Sequence, residues 1–474
     1  MDVRLFNTMS RRVEALETVT PGRVGLYCCG PTVYNFAHIG NMRTYIFEDV
    51  LRRALEMAGY KVRHVMNVTD VGHLTSDADE GEDKMLVAMR REGRSAHDIA
   101  AFYTEAFFRH ADMLNIKRPH VTCKATEHVA DMIALIRRLE ERGLAYRAGG
   151  NVYFDIARFP AYGKLAGLDL DKLQAGARIE VDANKRNPYD FALWFTQSKF
   201  ENQEMIWDSP WGRGYPGWHI ECSAMSIKYL GEQFDIHCGG IDHVPVHHTN
   251  EIAQSEGATG KAPCVRVWMH GEWLITESEK MSKSKGEFTT MDTLVANGYD
   301  PLAFRYLCLG AHYRQQLGFT YEALDGAANG LERLRKAALA LKEEAGAGAG
   351  EVDEMDAVDG EQPRLREFRD FLSDDLNMPR ALAVVWTALK DDTPAAQKLA
   401  LLRRFDEAMG LGLDSWTPKE EEIPAQVMAL VEKRAAARKA KNFVESDRLR
   451  AEIAGMGYAV KDTPQGAVVT RAKP

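Results

Sequence analysis

The sequence contains no run of about 18 consecutive apolar residues, the length that a membrane-spanning helix requires. Its first ten residues, Met1 to Ser10, lack the apolar core of a secretory leader, so a cytoplasmic protein is expected. An excess of basic charge is missing too: 60 lysines and arginines stand against 69 acidic residues, a net charge of −9. That excludes a protein that coats nucleic acid uniformly; a polyanion must find local positive patches against a repulsive average. Seven cysteines are an odd count in a long chain. A disulfide framework is therefore not expected, and free thiols are, some of them open to metal ligation. What remains is an ordinary globular composition, 45% hydrophobic and 27% charged in 474 residues, which suggests about three domains at roughly 150 residues each.

Gly22 to Cys29 is an apolar, strand-like run stopped by Gly30-Pro31. Asn41 to Met57 has helical periodicity, with Ile46, Val50, Leu51, Ala54 and Leu55 on one side, and Gly59 stands where helices commonly end. Lys61 to Val68 reads as a second strand. Strand, helix, strand is a βαβ unit and implies a parallel sheet, whose ligands gather at the carboxyl ends of the strands. Residues 126–203 are mixed, helix-like at Val129 to Glu141, and resemble an insertion into that sheet. From Pro301 the pattern is helical. It is interrupted at 346–360, where glycine, alanine and acids leave little to bury, as in a flexible linker. Thr417 to Pro424 marks a boundary, and the segment after it reverses the global charge: 431–474 holds ten Lys or Arg against five Asp or Glu, a net +5. Arg434, Arg438, Lys439 and Lys441 on its first helix are candidates for phosphate contact, unless that face is simply solvated.

Three constellations carry chemistry. His38-Ile39-Gly40-Asn41 opens a helix after a strand-ending loop. Backbone N–H groups and the helix dipole favour phosphate there, His38 and Asn41 add donors, and Gly40 allows close approach. The same four residues also suit a plain helix cap. Lys280-Met281-Ser282-Lys283-Ser284 places two lysines three apart among hydroxyls, suited to clamping a triphosphate with point charges. Cys29, Cys222, His247 and Glu251 could furnish a zinc shell, with the last two sharing a helix face. Cys28 beside Cys29 and His248 beside His247 leave the register of that shell open.

The sequence resembles the cysteinyl-tRNA synthetase family of class I aminoacyl-tRNA synthetases. The first two constellations are similar to that class's HIGH and KMSKS signatures, with Asn41 in place of the second histidine of the first. Cys29-Gly30-Pro31-Thr32-Val33-Tyr34, Trp218 to Ser223 and His247-His248-Thr249-Asn250-Glu251 resemble further family blocks. So do Asn67-Val68-Thr69-Asp70 and the terminal pattern spread from Ala437 to Gly466. Val71 to Leu74, Cys238 and Ile241 depart from the familiar pattern, and Ala467 to Pro474 lacks the aromatic that often ends the family.

The resemblance implies an α/β fold: a Rossmann-like parallel-sheet catalytic core with an inserted subdomain, then a helical bundle and a small C-terminal module. The implied division is 1–125 for the first half of the core, 126–205 for the insertion and 206–258 for the second half with the metal ligands. The KMSKS and stem-contact region would be 259–320, a helical tRNA-binding domain with its 346–360 linker 321–416, and an anticodon-reading module 417–474. It implies one Zn²⁺ on Cys29, Cys222, His247 and Glu251, with Mg²⁺ accompanying ATP. Cysteine would lie against Cys29, Thr69 and Trp218, and ATP against His38, Gly40, Asn41, Gly240, Asp242 and Lys283. His38, Asn41, Lys280 and Lys283 would carry adenylate formation, with ATP, L-cysteine and cysteine tRNA as partners of a monomer. The competing readings are a ligase joining cysteine to an amino-sugar and a non-catalytic RNA-binding protein on the same scaffold.

Overall fold

The structure is a computed structural model that describes residues 2–72, 84–168, 183–197, 205–276, 289–346, 362–418, 423–463 and 466–471. The chain divides into two compact units, Met1–Ser415 and Trp416–Pro474. At the centre of the first lies a five-stranded parallel sheet. Its strands are β1 (Arg23–Cys28), β2 (Lys61–Val68), β3 (Val121–Lys124), β4 (Phe234–Gly240) and β5 (Val265–Gly271), in the spatial order β3-β2-β1-β4-β5. Strand order reverses between β1 and β4, and in open parallel sheets the ligand crevice forms at that switch, beyond the carboxyl ends. Cys28 is level with Cys238 across the switch and with Met66 on its other side. Cys29 therefore leaves the sheet beside Gly239, its N–H donating to Cys238 O at 3.1 Å.

Helix α1 (Ile39–Met57) crosses from β1 to β2. It buries Ile46, Val50, Leu51 and Leu55, a stripe at helical spacing. Gly59 beyond its end has φ +91, a conformation that glycine adopts without steric cost. Two further helices, α2 (Trp218–Leu230) and α3 (His247–Thr259), flank β4. The two faces of the sheet feed two hydrophobic clusters: one continues through α1 into the later helices, and the other is built with α2, α3 and Val129–Glu141.

Two boundaries differ from expectation. Val129–Glu141 packs on α2 and α3, so it belongs to the core's helical layer. The inserted element is the four-stranded antiparallel sheet of Ala145–Ala148, Asn151–Phe154, Phe191–Phe195 and Tyr215–Pro216. The core also runs past residue 258, because β5 supplies its fifth strand.

The later helices of the first unit are Pro301–Leu309, Tyr321–Ala345, Pro363–Ser373, Met378–Ala388 and Ala395–Met409. A charged knot ties α1 to them. Asp49, fully buried, accepts from Arg53 at 2.7 Å and from Arg305 at 2.6 Å. Each guanidinium also donates to backbone carbonyls near helix ends, Arg305 to Met409 and Leu114, and Arg53 to Glu407 and Asn115. Carbonyls at a helix C-terminus lack intrahelical partners and carry partial negative charge, so cations suit them.

The second unit pairs helices Ala425–Lys439 and Phe443–Gly455 with an antiparallel hairpin, Tyr458–Thr463 and Gly466–Arg471. Val427, Val431, Ile453 and Val460 form its small core.

Candidate active site and metal centre

The loop leaving β1 is locked to β2. The Gly30 N–H donates to Asn67 Oδ1 at 2.8 Å, and a Cβ on Gly30 would stand 1.7 Å from the Asn67 carbonyl, so only glycine fits. The Val33 N–H donates to Thr69 O and the Thr69 N–H to Pro31 O. The chain then turns into α1 through a reciprocal cap. His38 Nδ1 accepts from the Asn41 N–H, and Asn41 Oδ1 accepts from the His38 N–H, both at 3.2 Å. A Cβ on Gly40 would lie 2.9 Å from the His38 ring, so Gly40 leaves room for that imidazole to fold over the helix start. The helix-cap reading of these residues is therefore met by the geometry, and their side chains still face a cavity.

That cavity, about 340 Å³, opens at the sheet's switch point. Cys29 and Trp218 line one part of it, His38 and Asn41 another, and Gly240 and Asp242 the β4 side. The Asp242 carboxylate folds over Gly240, where a Cβ would meet it at 2.2 Å. Trp218 begins α2 and lays its ring 4.5 Å from that of His247. The Lys84 ammonium stands 5.7 Å from the centroids of both Tyr34 and Trp218.

Thr69 is 2% exposed beside the cavity wall. Its hydroxyl accepts from Asn67 Nδ2 at 3.0 Å and donates to Glu221 Oε2 at 3.1 Å, which places it one layer behind the wall as a support. Lys280 and Lys283 fall outside the described residues. The chain on either side of them is described: strand Leu274–Thr276 on one side, and on the other Thr289, whose carbonyl accepts from the Ile39 N–H at 2.9 Å. His38 and Thr290 form an antiparallel bridge.

Next to the cavity, Cys29, Cys222, His247 and Glu251 come together from the loop after β1, from α2 and from α3, with one donor atom from each within 4.8 Å of all the others. All four are buried. The fit is that of a divalent cation that takes sulfur and nitrogen: two thiols, an imidazole and a carboxylate are a four-ligand set. Both Glu251 oxygens face imidazoles, Oε1 that of His247 at 3.0 Å and Oε2 that of His237 at 2.9 Å, so the carboxylate is aimed into the cluster. Burial raises the Cys29 thiol well above its ordinary value, and its hydrogen bond to Cys222 adds to this. That same bond brings Cys222 down to about 7, against its burial. Burial opposes charge on His247, yet Glu251 and Cys222 lift it to about 10. Burial would likewise raise Glu251, but His237 and His247 draw it down to about 2. The proton on His247 is thus favoured by the Glu251 carboxylate against burial, and a bound cation would replace it.

The structure also brings in His237 and His270, which the sequence reading missed, and His248, which it had left as an open register. Cys29 and Glu251 belong to a second four-donor group with His237 and His248. His237 Nε2 is 2.9 Å from Glu251 Oε2, and His248 Nε2 is 3.3 Å from Cys29 Sγ. His248 Nδ1 meets His270 Nε2 at 2.7 Å, and His270 Nδ1 meets Thr8 Oγ1 at 2.7 Å. A signal existed: six of the fourteen histidines fall between positions 219 and 270.

In the second unit, Arg434 corrects an expectation. It is 1% exposed, with its two terminal nitrogens on the two oxygens of Asp462 at 2.8 and 2.9 Å, so it braces the module from inside and presents no phosphate contact. Arg438 also pairs with Asp462 at 2.9 Å but stays exposed, as do Lys439 and Lys441. Phe443 beside them is 60% exposed.

Comparison with known proteins agrees with this geometry. Residues 15–329 match the family model described as the tRNA synthetases class I (C) catalytic domain, and 420–469 match the cysteinyl-tRNA ligase anticodon binding domain. A cysteine–tRNA ligase of Treponema denticola is 48% identical over 486 residues, covering 98% of this chain and 98% of its own. Cysteine–tRNA ligase 1 of Burkholderia lata is 50% identical over 467 residues, covering 98% and 96%. A methionyl-tRNA synthetase of Mycobacterium tuberculosis in complex with methionyl-adenylate shares the fold, with a TM-score of 0.55 at 17% identity over 82% of this chain and 90% of that one. With two family models along its length and relatives near half identity over almost all of it, this chain belongs to the cysteine–tRNA ligase family of class I aminoacyl-tRNA synthetases.

Proposed function

We propose that the protein joins L-cysteine to the 3′ end of cysteine tRNA in two steps within the cavity at the switch point. A carboxylate oxygen of cysteine attacks the α-phosphorus of ATP, the bond to the β-phosphate breaks, and pyrophosphate leaves. The terminal ribose hydroxyl of the tRNA then attacks the carbonyl carbon of cysteinyl-adenylate, and AMP leaves. The observation that carries this reading is one cavity with a thiol-rich cluster beside Cys29 and Trp218, and a helix N-terminus with His38 and Asn41 facing the same space.

Displacement at phosphorus depends on positioning and charge neutralisation. The first turn of α1 offers its dipole and N–H groups to the phosphates, with His38 and Asn41 beside them. Lys280 and Lys283 are assigned to the leaving pyrophosphate, and Gly240 and Asp242 to the nucleoside. Cys29, Cys222, His247 and Glu251 are assigned to zinc, the set with two thiols, and Mg²⁺ is expected to arrive with ATP. A bound zinc would hold the substrate sulfur as a thiolate, a bond that the hydroxyl of serine cannot match. Trp218 closes that part of the cavity, and the Glu221–Thr69–Asn67 chain of hydrogen bonds holds the wall behind it.

Cysteine-dependent ATP–pyrophosphate exchange is the expected activity, followed by transfer of labelled cysteine to tRNA. Exchange without transfer to tRNA would point to a different acceptor, and absence of exchange would leave only a binding role. The second unit is assigned to tRNA through Arg438, Lys439 and Lys441, with Phe443 as a surface for base stacking. Replacing Lys439 and Lys441 together with alanine is expected to flatten the salt dependence of tRNA binding by about two in log–log slope and to leave exchange unchanged. An unaltered slope would return that face to mere solvation.

A further inference from the structure

A cation stands two residues beyond Asn41, and the reaction outlined above gives it nothing to do. Arg43 is 5% exposed. Its guanidinium does not reach into the cavity. It donates to four backbone carbonyls: those of Glu272, at 2.7 Å, and Trp273, and those of His312, at 3.4 Å, and Gln315. These carbonyls belong to two stretches of chain that are themselves joined, since the Glu272 N–H donates to Tyr313 O and the Leu317 N–H to Trp273 O. Glu272 and Trp273 lead directly into Leu274–Thr276, which pairs in parallel with Leu317–Phe319. Leu274 in turn rests against the first turn of α1, 3.9 Å from where a Cβ on Gly40 would lie.

Burying a guanidinium is costly unless its donors are met. A planar fork with five N–H groups can satisfy carbonyls from two segments at once, whereas a lysine ammonium cannot span them. On the far side of 277–288, the backbone of His38 and Ile39 holds Thr289 and Thr290. Both described flanks of that stretch are therefore fastened to the start of α1, one of them by Arg43.

We propose that Arg43 is a positioning residue for adenylate formation: it fixes Glu272 and Trp273, and with them strand Leu274–Thr276, against the first turn of α1, and so sets where His38 and Asn41 stand at the cavity. The proposal rests on the reading of the cavity as an ATP site. It gives Arg43 no contact with substrate and no part in amino-acid selection or in transfer to tRNA.

The test compares R43K and R43M with the unaltered full-length protein. Four quantities are read: ATP–pyrophosphate exchange, KM for ATP and for cysteine, single-turnover transfer from preformed cysteinyl-adenylate to tRNA, and the thermal midpoint. A misplacement of about 1 Å costs on the order of 10²-fold in rate. R43K is accordingly expected to lose roughly 10- to 100-fold in kcat for exchange, with cysteine KM and the transfer rate within about twofold of normal and a thermal midpoint near the parent's. R43M, which also removes the charge, should lose at least as much. Exchange within twofold of the parent in R43K overturns the proposal. So does a parallel fall of exchange and transfer, which would mark a general packing role. If the parent itself shows no cysteine-dependent exchange, the functional reading fails and Arg43 is not the cause.

Discussion

Cys222→Ser is expected to lose most of its bound metal and to raise the KM for cysteine by roughly 10²-fold or more, while tRNA binding stays intact. The reason lies in the difference between the two thiols. Cys222 is the one whose pKa falls to about 7, through the hydrogen bond from Cys29 and the neighbouring His247, so it is the readier thiolate. A serine oxygen there stays protonated and hard, a poor ligand for an ion that prefers sulfur. Shape alone separates a hydroxyl from a near-isostere by only about 10²-fold, so preference for cysteine over serine should fall toward that limit. Elemental analysis alongside steady-state exchange checks both halves. Full metal content with normal cysteine kinetics would remove Cys222 from the ligand set and turn attention to His237 and His248.

The second large effect concerns stability. Asp49→Asn leaves Arg53 and Arg305 buried with no carboxylate between them, and breaking a buried pair by removing one partner costs about 3–5 kcal/mol. A clear fall in the denaturant midpoint is expected, and an unchanged midpoint would show that helix-end carbonyls alone suffice for both guanidinium groups. The same residue predicts an acid effect. Burial would raise Asp49, but Arg305 and Arg53 hold it below its usual value. Its stabilising contribution is therefore complete above the unfolded value of about 3.9 and is lost as pH falls through the lower folded one. The Asn variant should show a shallower acid-unfolding profile than the parent.

Much of the core was legible because local and global signals agree there. The run from Gly22, the stripe from Asn41 to Met57 and the strand Lys61–Val68 all lie within a residue or two of β1, α1 and β2. Val129–Glu141 was legible as a helix but not as part of the core, since periodicity shows which face is buried and not against what. β5 was missed: Val265–Gly271 mixes arginine, tryptophan and histidine into its apolar pattern, because its inner residues serve the site as well as the core. At the metal centre, spacing put His247 and Glu251 on one helix face but left the register open; the family resemblance supplied the four ligands, and the fold brings their donors together from three segments. Arg434 was misread because a charge count weighs a solvated arginine and an interior one alike. The hydrogen bond from Thr69 to Glu221 could not be read from the sequence, because the two residues stand 152 positions apart.

Helix α1 is gripped along its length: at its start by the His38–Thr290 bridge and the carbonyl ring around Arg43, and midway by the Asp49 knot. Its nineteen residues measure about 28 Å. A strut held in that way resists both sliding and rotation. Pro301–Leu309, tied to it through Arg305, therefore shares one anchored rod with His38, and the later helices and the phosphate end of the cavity have a common support.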